Sequence, residues 1–225
     1  MSINLSKLCT DNLQASYSSQ TSNKLQPFHS EELVAAFFGY ESHAALVDEK
    51  NHPLNKLEEA HIFIPDIPLM DQCRVRLKDL QQNLPSSKVL AEHLSDFLSK
   101  EGYFSGEIWL YDTLESYIAE VFLPKHQSII DEQLSGVMAE TNASFSDQPY
   151  YEDLNTQDND DELIITAKAK YQGEHLDDKS FCGDTIDTTV QVELLRIAGK
   201  RGFLGFEIES GGVVNDDWVD PELKS

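Results

Sequence analysis

Basic residues are scarce in this chain: 17 Lys and Arg stand against 40 Asp and Glu, a formal charge of -23 over 225 residues. Such a field repels phosphates and anionic membrane surfaces and attracts cationic partners or metal ions. Direct nucleic-acid binding is therefore disfavoured, and a basic protein partner is the expected one; general solubility is the plainer reading of the same charge. Cysteine is thin as well, with only Cys9, Cys73 and Cys182. An odd, widely spaced set builds no disulfide framework and suits a reducing compartment. No stretch approaches the roughly 18 apolar residues of a membrane span. The first residues lack the basic start and apolar run of a secretory leader. A soluble, cytoplasmic protein away from membranes is the expectation. Phosphate-binding loops, dinucleotide fingerprints, Gly-x-Ser-x-Gly elbows and His-Glu-x-x-His pairs are all missing.

What is present begins with a clear β signal between Glu162 and Glu209. Ile165, Ala167, Ala169 and Tyr171 alternate with Thr166, Lys168 and Lys170. Ile186, Thr188, Val190, Val192 and Leu194 alternate with Asp187, Thr189, Gln191 and Glu193. Leu204, Phe206 and Ile208 repeat the pattern more briefly. A period of two puts apolar side chains on one face of a pleated strand, as a one-sided antiparallel sheet requires. Ala198-Gly199-Lys200-Arg201-Gly202 supplies a tight turn.

The preceding residues read mostly as helices. Residues 1–24 form a polar lead-in with at most one weak helix, and residues 25–146 a mainly helical region. Within it Ser30 is placed to cap a helix bearing Leu33, Val34, Phe37 and Phe38, ended by Gly39, and Ser42 to cap a second. Residues 61–65 suggest a short strand, and Asp66 and Pro68 a helix to about Gln82. Ser86 or Ser87 opens the helix with the widest apolar stripe. Glu107–Tyr111 suggests another strand, and Asp112 with Glu115 a capping box. Pro124 then separates two further helices. From Lys125 to Lys168 no Lys or Arg intervenes while ten acids accumulate, so residues 147–162 read as an acidic linker. Residues 163–225 are the sheet region with an acidic tail.

Two stretches could carry chemistry. The loop Gly173–Asp184 gathers His175, Asp177, Asp178, Cys182 and Asp184, all metal-ligand types. This supports an alternative reading, a metal-dependent or cysteine enzyme with a divalent ion or with Cys182 as nucleophile and His175 as base. No EF-hand alternation or Cys-x-x-Cys pair accompanies them, so the leading expectation includes no cofactor. The second stretch is acidic: Glu152, Asp153, Asp158, Asp160, Asp161 and Glu162, joined by Asp216 and Asp217 near the end, are the candidate partner-binding residues. Gly199–Gly202 is the compact basic patch. The helical hairpin that Ser30 opens is too acidic to be a DNA-reading helix-turn-helix, because Glu41, Asp48 and Glu49 crowd its second helix.

The run Phe28–Leu46 and the phrase Phe181-Cys182-Gly183-Asp184-Thr185-Ile186 resemble segments of uncharacterised bacterial proteins carried on plasmids, phages and other mobile elements. That resemblance covers about a fifth of the chain, brings no catalytic residues with it, and implies a mobile-element setting. The fold expected is α+β, a helical N-terminal region with a small C-terminal antiparallel meander. The function expected is a non-enzymatic acidic protein-binding module. Its sharpest form imitates DNA phosphates to inhibit or modulate a host nucleic-acid-handling system.

Overall fold

The computed structural model describes residues 4–176 and 183–215, and over these the chain is α+β. The first element corrects the polar lead-in. Leu5–Thr21 is a 17-residue helix, α1, started by the Asn4 side chain, which accepts the Lys7 N–H at 3.1 Å. Its buried residues Leu5, Cys9, Leu13 and Tyr17 lie in single file, four apart, with Ser6 and Thr10 beside them. So narrow a row, flanked by buried hydroxyls, lacks the wide stripe by which a helix announces itself in sequence.

Helix α2 (Pro27–Phe37) starts earlier than a Ser30 cap would have it, because Pro27 presets the first helical φ. Ser30 is instead buried inside the helix, donating to the Pro27 carbonyl at 2.8 Å and accepting from the Gln14 amide at 2.7 Å. Next come α3 (His43–Asp48), a 3-10 turn over Leu54–Glu59, strand β1 (Ile62–Phe63), α4 (Ile67–Arg76), α5 (Ser87–Lys100) and strand β2 (Glu107–Ile108). Ser42, Asp66 and Ser86 cap α3, α4 and α5, accepting the N–H of Ala45, Leu69 and Val89 at 3.2, 2.9 and 3.5 Å. Helix α4 stops at Arg76, short of Gln82, and β2 is shorter than the expected Glu107–Tyr111. Asp112 does not serve a capping box with Glu115: it takes the Lys88 ammonium at 3.0 Å, and Glu115 takes the Thr156 hydroxyl at 3.1 Å.

Helix α6 (Leu114–Tyr117) runs into a π-helical segment, Ile118–Phe122, and then α7 (Leu123–Lys125). The Leu123 N–H reaches back five residues to the Ile118 carbonyl, and Pro124, without an N–H, cannot restore the ordinary ladder. The helical path therefore passes through Pro124 and breaks at His126. Helix α8 (Gln127–Glu140) and strands β3 (Ala143–Ser144), β4 (Tyr150–Asp158), β5 (Glu162–Gln172), β6 (Glu174–His175), β7 (Thr185–Ala198) and β8 (Gly202–Val214) complete the described chain. The acidic linker is thus corrected to a strand: β4 pairs antiparallel with β5 from Tyr150–Lys170 to Asp158–Leu163. A bulge between Glu152 and Asn155, where Asp153 has φ 51°, breaks the alternation that would have betrayed it.

One mixed sheet has the order β2-β1-β8-β7-β5-β4; β1 runs parallel to β2 and antiparallel to β8, and β3 pairs with β6 separately. The chain divides into two units, Met1–Leu114 with Leu194–Gly205, and Glu115–Glu193 with Phe206–Ser225. In the first unit α1, α2, α4 and α5 share a core with Phe37, Phe38, Phe63 and Phe104, whose rings lie 5.0 to 6.0 Å apart. In the second, Leu163, Ile165, Ala167, Ala169, Tyr171, Val190 and Val192 turn one sheet face inward. Strand β8 slips phase on the way: Phe203 is buried and Leu204 exposed, whereas Phe206 contacts Phe122 at 4.9 Å and Ile208 is buried. The single alternation Leu204-Phe206-Ile208 therefore gives way to two.

Candidate functional site

Of the proposed metal ligands, His175 and Asp184 fall on described residues, while Asp177, Asp178 and Cys182 lie outside them. His175 sits on β6, paired with Ala143 of β3. Asp184 is spent locally, accepting the Thr185 hydroxyl at 3.2 Å through its carboxylate and the Gly173 N–H at 2.7 Å through its carbonyl. Among the described residues no group of three or more His, Cys, Asp and Glu side chains is placed to hold a metal ion.

The acidic candidates separate by strand parity. Glu152 lies opposite Lys168 and turns away from the core, together with Tyr150 and Lys170. Asp153, at the bulge, pairs with the Lys168 ammonium at 3.4 Å. Asp158, exposed at the strand end, lies in register with Leu163 and so on the opposite side from Glu152, and Asp158, Asp160 and Asp161 each have interaction partners already. Asp216 and Asp217 lie outside the described residues. The stretch read as one acidic ribbon is therefore divided between two faces and an ion pair.

Glu162 belongs instead to a group that the sequence left scattered. It starts β5; Glu193 is on β7, next in the sheet, and Glu207 and Glu209 are on β8 beyond. The Glu162 carboxylate beside Glu193, and the charges of Glu207 and Glu209 after it, push the Glu193 pKa above the ordinary glutamate value. Glu193, Glu207 and Glu209 had a signal in sequence as polar partners in period-2 runs, and Glu162 as the end of the acidic stretch. What sequence could not supply is the strand order that sets β7 between β5 and β8.

The basic turn is used up internally. Arg201 forms an ion pair with Asp66, both side chains largely buried. Lys200 lies over the Tyr40 ring, 5.7 Å from its centroid, and Arg196 stacks over Phe203 at 5.8 Å. The Gly199 N–H donates to the His52 carbonyl at 2.7 Å, and a Cβ on Gly39 (φ 87°) would stand 2.9 Å from both the Lys200 Cβ and the Arg201 Cγ. Glu49 closes the corner, accepting from the Tyr40 hydroxyl at 2.9 Å and from the Asn51 and His52 N–H groups at 2.7 and 3.1 Å. Partial burial opposes its charge, but these donors outweigh burial and hold its carboxyl below the usual range. A groove of about 400 Å³ beside it, lined by Leu5, Leu46, Val47, Glu49 and Pro53, therefore has a carboxylate whose oxygens are already committed.

Helix α8 is tied to the sheet by a half-buried polar network. The Gln127 amide donates to Asp131 at 2.7 Å and to the Tyr171 hydroxyl; Tyr171 donates to Asp131 at 3.1 Å, and Tyr151 to the Gln127 carbonyl at 3.1 Å. Burial pushes the Tyr151 phenol up to about 12 and Tyr171 higher, so neither is an acid or base near neutrality. Cys9, wholly buried, is likewise raised to about 12 and is inert as a nucleophile. His93 has its pKa lowered by burial, and its Nε2 is buried with no hydrogen-bond partner. What stands out chemically is thus the carboxylate group on β5, β7 and β8. No protein-family model matches the chain, and no curated protein and no solved structure matches it either.

Proposed function

We propose that the chain is a non-enzymatic acidic module that binds a basic protein, with the solvent-facing side of β5, β7 and β8 as its docking surface. The observation that carries this reading is the crowding of Glu162, Glu193, Glu207 and Glu209 on three neighbouring strands. Like charges on adjacent strands cost stability. Solubility needs only dispersed charge, whereas a surface that receives cations gains from concentrating it. Glu152 on β4 extends the same side. In its narrower form, the carboxylates stand in for phosphates and occupy the basic groove of a nucleic-acid-handling protein, in the cytoplasm of a bacterium carrying a mobile element. The paucity of cysteine and the resemblance at Phe28–Leu46 support that setting. The same reading treats residues 163–215 as an antiparallel meander, because the three residues joining β7 to β8 are too few for a crossover.

The test is capture of basic proteins from a bacterial lysate, with the full chain and with a variant carrying Gln at 162, 193, 207 and 209. The reading expects a DNA-handling protein that the native chain captures, that salt and duplex DNA release, and that the variant loses. Capture that survives the four substitutions, or no basic partner at all, overturns it.

A further inference from the structure

We draw no further inference here: the strongest candidate, the outer edge of β4 with Glu152 and Asp153 along it, carries nothing, because acids and a bulge equally guard an edge strand against pairing and nothing in the structure shows what covers it.

Discussion

Glu193 is the residue at which the charge of this chain acts most directly on its own fold. Its pKa in the folded state is raised by the Glu162 side chain first and by Glu207 and Glu209 after it. A carboxyl raised on folding binds its proton more tightly in the native than in the unfolded state. The stability it contributes is complete below the ordinary glutamate pKa and is lost as pH rises through the folded value. Thermal melts should therefore place Glu193→Gln above the native chain at pH 7, with the gap closing as pH falls below the ordinary glutamate range. A gap that does not change with pH would mean that the four carboxylates do not interact. Gly39 acts through shape. With φ 87° and no room for a Cβ against Lys200 and Arg201, Gly39→Ala should cost about 1–3 kcal/mol in urea unfolding.

At the scale of the element, the prediction that separates structure from sequence is in α1. Leu13→Ala removes the middle of its buried row and should cost about 2–5 kcal/mol, whereas Asp11→Asn on the exposed side should stay within about 0.5 kcal/mol. Where an element combined a cap with a broad stripe, sequence was enough: Ser86 followed by Leu90, Leu94 and Leu98 defines α5. Helix α1 escaped because its buried residues form one file and its seam includes Ser6 and Thr10. Strand β4 escaped because acids stand on both of its sides and the Asp153 bulge shifts its period midway. The carboxylate group was legible residue by residue but not as a group, since adjacency of β5, β7 and β8 is a long-range fact. In α8 the polar side chains fix position. Tyr171→Phe leaves Gln127 and Asp131 short of a partner and should cost about 1–3 kcal/mol, read from denaturant midpoints.

For the whole molecule the relevant quantity is an unbalanced charge of -23, with two of its few cations, Arg196 and Arg201, largely buried. Self-repulsion of that size is screened by salt. Raising NaCl from about 0.01 M to about 1 M, over which the Debye length falls from about 30 Å to about 3 Å, should raise the melting temperature. A melting temperature that falls instead would show that attractive surface pairs, such as Lys168 with Asp153, outweigh the repulsion. The same screening should weaken capture of a cationic partner, so one titration reads opposite effects on stability and binding.

Leu194–Gly205 belongs with Met1–Leu114, although the intervening chain builds a unit of its own. During translation the helices of the first unit emerge early, yet Ile62, Gly39 and Asp66 must wait for Phe203, Lys200 and Arg201 before their corner closes. At about 5–20 residues per second the ribosome takes on the order of 10 s to travel from Leu114 to Leu194. For that interval a nascent chain exposes apolar surface to chaperones and proteases, and a message truncated upstream of Leu194 releases a polypeptide that never leaves that state.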